Sequence, residues 1–289
     1  MTSIADFLDE KKSLIDSTLV GSLPPALPGA EKVREAMRYA VFSDGKRLRP
    51  VLLLTVGEMM GRDNAHLLQS ACAVEFIHTC SLILDDLPCM DDSQTRRGKP
   101  ALHIAFDQAT AILAAEGLLL QAFALISDNA RRLGLDSPAA LSAVEAAAEA
   151  AGYPGMVAGQ YLDLSSKTDP PDRQRVESIL LMKTATLFTA SARIAAIFSH
   201  ASDQEEKALV QYGSCLGLAF QITDDLFDAE AAVCRGIDTE LNYAVLFGAN
   251  GARSRAENLV AQGLEALRPF ARRASMLAAL LRYVLEREK

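Results

Sequence analysis

His78-Thr79-Cys80-Ser81-Leu82-Ile83-Leu84-Asp85-Asp86-Leu87-Pro88-Cys89-Met90-Asp91-Asp92 is the stretch that decides the fold. It closes an apolar run with helical periodicity, and Pro88 disfavours helical geometry in the residue before it. The expectation is a helix that arrives from Ala71 and ends by Pro88, with aspartates gathered at its end. Carboxylates crowded against an apolar helix are costly to bury alone and need a compensating cation. Oxygen-only ligands suit Mg²⁺, which keeps several waters and often bridges substrate phosphates. His78, Ser81 and Asp85 are spaced three and four apart, so they line one stripe leading to the carboxylates. His78 is therefore read as a functional histidine rather than a satisfied core one.

A second cluster, Asp224-Asp225-Leu226-Phe227-Asp228, closes another apolar helical run. At about 100° per residue, Gln221, Asp224, Asp225 and Asp228 fall within roughly a 100° sector of one helix face. A lone cluster of this kind reads equally well as a solvated helix end. Two in one chain, each at the end of an apolar helix, point to cation chemistry.

Outward from these clusters the periodicity is helical nearly throughout, with no convincing alternating strand, so the fold is expected to be all-α. Loops are expected over Gly21–Gly29 and Ser165–Pro171, and breaks at Gly152–Gly155 and Ala249–Gly251. Ser137-Pro138 reads as the N-cap and first position of an Ala-rich helix, with Asp136 just outside. No composition shift or fixed-period repeat marks a boundary, so residues 1–289 are read as a single domain.

Half of the residues are hydrophobic and none is Trp, which suits cores packed from Ala and Leu. A net charge of −8 and a pI near 5.1 argue against nucleic acid or an anionic membrane as the main partner. The five cysteines are odd in number and form no C-x-x-C pair, which suits free thiols in a reducing, cytoplasmic setting. Residues Met1–Leu14 carry acidic side chains and no apolar core, unlike a signal peptide. The apolar stretch Ala109–Ile126 is interrupted by Glu116 and Gln121 and reads as a buried helix, not a membrane span.

Against this acidic background the basic groups stand out. Gly45-Lys46-Arg47-Leu48-Arg49-Pro50 is a compact cation patch in which Lys46 and Arg49 would share a side if helical. The adjacent Arg96 and Arg97 must diverge and can serve different anions. Lys183-Thr184 interrupts an apolar helix, where an amine needs a partner. Together with the aspartates, these cations suggest two polyanion pockets, one bridged by metal and one held by cations alone. Guanidinium forks suit phosphate oxygens.

These segments resemble the trans-isoprenyl diphosphate synthases, most closely the bacterial and plant type of geranylgeranyl diphosphate synthase. The likeness runs from about Tyr39 to Asp228 and rests on a specific series of motifs in order. They are GKRLRP, HTCSLILDDLPCMDD, RRGKP with His103, Gly159-Gln160 with Asp163, Lys183-Thr184, and Phe220-Gln221 with the second cluster. The resemblance implies an all-α isoprenoid-synthase bundle around a deep central cavity, a homodimer, and about three Mg²⁺ ions. It implies that isopentenyl diphosphate is gripped by Lys46, Arg49, His78 and Arg97. It also implies that an allylic diphosphate is held through Mg²⁺ on Asp85, Asp91 and Asp224, assisted by Arg96, Lys183 and Gln221. Thr184 would steady an allylic carbocation, and Asp86, Asp225 and Asp228 would complete the catalytic set. Product length would be set beside the first cluster. Helix geometry favours Ser81 for that role, and the family pattern adds Cys80, where a bulky aromatic stops the product at C15 and smaller residues allow C20.

One segment departs from the family. After the second cluster the family carries one or two Gly-Lys pairs and a Thr-Tyr-Pro, whereas residues 229–248 read AEAAVCRGIDTELNYAVLFG. That segment is shorter, has no lysine and keeps only Tyr243, with Arg235 as a candidate replacement cation. Losing one preorganised charge can cost roughly 10²–10³ in rate, so slow turnover or unusual product handling is expected. The competing expectations are a farnesyl diphosphate synthase, a weakly active or regulatory subunit, and a terpene cyclase. The intact aspartates count against the regulatory subunit. The Asp224/Asp228 pair and the Lys46/Arg49 patch count against the cyclase.

Overall fold

The computed structural model describes residues 3–166, 172–235 and 242–287. The side chains of residues 230–235, Arg235 among them, and all of residues 236–241 lie outside the described residues, as do residues 167–171 of the expected Ser165–Pro171 loop. The described chain is all-α apart from one two-residue hairpin. It divides into two compact units, residues 1–147 and 148–289.

The first unit runs through α1 (Ile4–Ser22), α2 (Glu31–Val41), α3 (Leu48–Met59) and α4 (Leu68–Asp85). The strands β1 (Thr95–Arg96) and β2 (Lys99–Pro100) follow, then α5 (Leu102–Ala105), α6 (Gln108–Arg132) and the start of α7 (Ser137–Ala151). Helix α4 is apolar nearly all round, as a helix surrounded by others must be, and it packs against α1, α2, α3 and α6. Its partner α6 offers Ala111, Ala114, Ala115, Ala122 and Ala130, small side chains that let the two axes approach closely. Asp107 caps α6 by accepting from the Thr110 amide at 2.7 Å.

Helix α6 is only half buried, a correction to the sequence reading. Ile112, Leu113 and Leu120 are exposed along one face. Two segments, Gln108–Arg132 and Arg173–Phe198, are long and apolar enough to cross a membrane, but core helices of soluble proteins pass the same test.

The second unit continues through a wide π turn (Tyr153–Val157), α8 (Ala158–Ser165), α9 (Arg173–Leu180), a second π turn (Leu181–Ala185) and α10 (Thr186–Phe198). Its axis is α11 (Asp203–Arg235), followed by α12 (Tyr243–Phe247), α13 (Ala249–Ala266), a 3₁₀ segment (Arg268–Ala274) and α14 (Ser275–Glu286). Helices α10, α12, α13 and α14 all pack on α11. The buried Tyr212 hydroxyl donates to the Leu277 carbonyl at 2.8 Å and pins α14 to that axis.

Four further local expectations shift. Helix α1 includes Gly21, so the first loop begins at Leu23. Asp136 caps α7 by accepting from the Ala139 amide at 2.9 Å, which makes Ser137 the first helical residue. The break before α13 is at Gly248 (φ 77°), and Ala249–Gly251 is already helical. The second aspartate cluster does not end its helix, because α11 continues through it to Arg235.

Candidate active site

In the first unit the sequence folds back on itself beyond α4. Pro88 has no amide hydrogen to continue the helix, and the following amides bond backwards. Asp91 N donates to Asp85 O at 3.0 Å, and Asp92 N donates to Leu87 O at 3.1 Å. Asp92 adopts a left-handed backbone with φ of 48°. This turn brings Asp91 back beside Asp85, and both carboxylates face solvent at least partly. Asp86 goes the other way. It is 2% exposed and receives the Arg96 fork, with Nε at 3.0 and 3.1 Å from its two oxygens and Nη2 closer still. Burial would lower the Arg96 pKa, but the fork and the charges of Asp86, Asp85 and Asp91 raise it above its ordinary value. Asp86 is thus the anchor of Arg96 rather than an open ligand.

The hairpin separates the two arginines as expected. Arg96 lies in β1 and Arg97 in the two-residue turn, with φ of 52° followed by 75° at Gly98. The Arg97 guanidinium lies against the backbone of Gly45, where an added Cβ would meet its Nη1 at 2.6 Å. Arg49, in the first turn of α3, approaches the His78 Nε2 through Nη1 at 3.3 Å. The His78 pKa is held well below its ordinary value, first by burial and then by Arg49, Arg97, Arg47 and Arg96. His78 is therefore a neutral ring within a cluster of cations. The structure brings Arg49, His78 and Arg97 together, with Lys46 on the exposed loop beside Gly45.

Lys46 and Arg49 do not share a helix turn, because Arg47 takes a left-handed conformation (φ 52°) and α3 starts only at Leu48. Arg47 itself turns inward to Glu75, Asp16 and the Val41 carbonyl. The middle of the cation patch is therefore structural. Cys80 is buried at 4% exposure, and burial followed by the Asp85 charge pushes its thiol up to about 12. Ser81 is partly exposed, and its hydroxyl donates to the His78 carbonyl at 2.8 Å.

In the second unit, Lys183 and Thr184 occupy the second π turn. Such widened turns recur at functional sites. Two glycines permit it. A Cβ on Gly159 would lie 2.4 Å from Lys183 N, and one on Gly217 would lie 2.6 Å from Ala185 Cα. The turn is clamped between the backbones of α8 and α11. Lys183 finds its expected partner in Asp163 on α8.

From Thr184 a chain of hydrogen bonds runs into the second cluster. The Thr184 hydroxyl donates to Gln221 Oε1 (3.0 Å), and Gln221 Nε2 donates to Asp225 Oδ1 (2.9 Å). The Tyr243 amide donates to Asp225 Oδ2 (2.8 Å). Asp225 is 5% exposed, and its pKa rises to about 6 through burial, with the Tyr243 and Gln221 bonds opposing and Asp224 and Asp228 adding. Asp224 and Asp228, one turn apart, remain partly or fully exposed.

Three further residues were not predicted as site residues. Asp163 holds Lys183. Gln160, one turn before it, buries both amide atoms without a hydrogen bond. Arg287 pairs with Asp224. The first two lie in the Gly159-Gln160 motif at helical spacing, whereas no sequence signal marks Arg287.

Among the described residues, no group of three His, Cys, Asp or Glu side chains forms a metal cage. Within the first unit the outward carboxylates Asp85 and Asp91, and within the second Asp224 and Asp228, are of the oxygen-donor kind that suits an ion which retains waters.

The sequence profile of the polyprenyl synthetase family matches residues 30–233. Geranylgeranyl pyrophosphate synthase 12 (chloroplastic) of Arabidopsis thaliana is 39% identical over 96% of this chain and 80% of its own length. Farnesyl diphosphate synthase of Geobacillus stearothermophilus is 37% identical over 98% of this chain and 96% of its own. Among solved structures, an FPP/GFPP synthase from Zymomonas mobilis superposes with a TM-score of 0.88 at 35% identity, covering 98% of each chain.

Proposed function

This chain belongs to the polyprenyl synthetase family and is a prenyltransferase, and we propose that it joins isopentenyl diphosphate to allylic diphosphates with geranylgeranyl diphosphate (C20) as main product. One observation carries the two-substrate reading. Helix α4 holds His78 among cations and, seven residues on, the outward Asp85. That spacing is about 10 Å along a helix, room for two separate diphosphates.

Arg49, Arg97 and Lys46 bind the isopentenyl diphosphate, and the neutral His78 orients Arg49. Arg96, fixed by Asp86, and Lys183, fixed by Asp163, bind the allylic diphosphate and receive charge as it leaves. Mg²⁺ on Asp85, Asp91 and Asp224 would supply the remaining neutralisation of pyrophosphate. The Thr184 oxygen, oriented through Gln221 and Asp225, lies on the π turn beside Lys183 to steady the allylic cation. The double bond of isopentenyl diphosphate attacks that cation, and released pyrophosphate takes the proton.

The profile match crosses both compact units, which supports a single domain over residues 1–289. The exposed Ile112, Leu113 and Leu120 face of α6 supports a homodimer. The unpaired, buried Cys72, Cys80 and Cys215 support a reducing, cytoplasmic setting. The likeness to the Geobacillus farnesyl diphosphate synthase over nearly its whole length favours a second reading, a C15 product.

Product analysis with isopentenyl diphosphate and each allylic primer separates the two. C20 is expected from wild type, and Cys80→Tyr is expected to shift the main product to C15 while activity survives. Wild type stopping at C15, or the Tyr variant still making mostly C20, would place the floor elsewhere.

A further inference from the structure

Arg287 follows α14, and its side chain is 1% exposed. Its Nη2 donates to Asp224 Oδ1, 2.5 Å away, and to the Phe220 carbonyl at 3.2 Å. The guanidinium lies over the Phe220 ring at 4.0 Å and within 5.9 Å of the Phe227 ring. Nε and Nη1 are buried and make no hydrogen bond. A guanidinium with two unsatisfied nitrogens is expensive to keep buried. Burial accordingly pulls its pKa below the ordinary value while Asp224 opposes that pull. The resting position is held by the charge of Asp224 and by Phe220, not by a saturated hydrogen-bond set.

We propose that Arg287 is the resident counter-ion of Asp224, which an incoming divalent cation displaces, so that metal loading and release of the residue 287 segment from α11 are coupled. The inference rests on the reading of Asp224 as a metal ligand. Its sign follows from charge alone. Whether the ion takes the oxygen that Arg287 holds or the other one, a fixed positive charge within a few ångströms lowers its affinity. By reciprocity the bound ion weakens the hold of Asp224 on Arg287 by the same factor.

The test is Mn²⁺ binding to the full chain without substrates, followed by electron paramagnetic resonance in an Asp85→Asn/Asp91→Asn background that removes both outward carboxylates of the first cluster. Arg287→Gln is expected to tighten Mn²⁺ about tenfold, and Arg287→Lys, which keeps the charge, to stay near wild type. Asp224→Asn should weaken binding and abolish the gain from Arg287→Gln. The reciprocal readout is hydrogen exchange of the Arg287 amide, which donates to the Tyr283 carbonyl at 2.9 Å, and it should speed up when Mn²⁺ is added to wild type. If Asp224→Asn weakens Mn²⁺ but Arg287→Gln leaves it unchanged or weaker, the counter-ion role is overturned and the ligand reading stands. If Asp224→Asn changes nothing, both are overturned. A misfolded Gln variant would show as a lowered melting point in chelator, and the exchange measurement on wild type then decides.

Discussion

The two aspartate clusters share a plan and differ in how it is carried out. In each adjacent pair the first carboxylate, Asp85 or Asp224, faces outward, and the second, Asp86 or Asp225, is buried. Around the first cluster the backbone is bent. Asp92, Arg47 and Arg97 all adopt left-handed conformations, and the inner Asp86 is neutralised by a full guanidinium. Strained residues of this kind persist only where the surroundings over-determine them. Around the second cluster the backbone is a continuous helix, and the inner Asp225 meets only neutral donors. The outer carboxylates are the solvent-facing ones, while the inner ones organise Arg96 in the first unit and the Thr184–Gln221 chain in the second. Equal sequence motifs thus rest on different physical supports.

The largest effects should fall on the outer pair, and alike. Asp85→Ala and Asp224→Ala are each expected to cut kcat by about 10³ or more, with activity lost in excess chelator for wild type. Turnover persisting undiminished in chelator, or one variant remaining near wild type, would break the equivalence.

Next comes the clamp that only the second region uses. Gly159→Ala would drive a methyl into the Lys183 backbone. It should lower kcat about 10²-fold, the usual cost of misplacing a catalytic group by an ångström, and raise KM for the allylic primer more than for isopentenyl diphosphate. A loss of thermal stability with unchanged kinetics would make the glycine purely structural. The first region gives the opposite split. Arg49→Ala should raise KM for isopentenyl diphosphate about tenfold and KM for the allylic primer less. An equal rise in both would show that the cations are not divided as proposed.

Much of this was legible in the sequence because the decisive features are local. Apolar periodicity gave the helices, Pro88 the end of α4, and helical spacing the stripe from His78 to Asp85. The adjacency of Arg96 and Arg97 foretold their divergence. What escaped depended on contacts between distant residues. Arg47 looked like one more cation until Glu75 and Asp16 took it inward. Asp86 looked like one more member of the catalytic set, and the fork that Arg96 closes on it was not visible. The π turn at Lys183 depends on two glycines that lie 24 and 34 residues away, and although Gly159 stands in a quoted motif, nothing in the sequence says that either one packs on that turn. Tyr243, read as a remnant of a lost motif, also supplies its backbone amide from the start of α12 to Asp225 on α11. Arg287 stands 63 residues from Asp224, beyond any reading of helical spacing.

The smallest effect sharpens the comparison most, because one chemical edit should carry opposite signs. Asp86→Asn leaves the half-buried Arg96 with a weaker acceptor and should cost about 2 kcal/mol of stability. Asp225→Asn removes a charge that burial disfavours. Its oxygen can still accept from Tyr243 N, while the Gln221 amide turns over and the Thr184 hydroxyl rotates to accept. The folded Asp225 carboxyl has its pKa raised to about 6, against about 3.9 in an unfolded chain. Between those values the folded protein binds more protons than the unfolded one, so the Asp225 contribution to stability falls as pH rises through that window. Above pH 6 the penalty is fully present, on the order of 2–3 kcal/mol. Asp225→Asn should therefore be more stable than wild type above pH 6, with the gap closing as pH falls toward 4. Denaturant midpoints measured in chelator across that range would check it. If both variants lose stability at pH 7.5, Asp225 is held as a charge after all, and the two inner carboxylates play the same role.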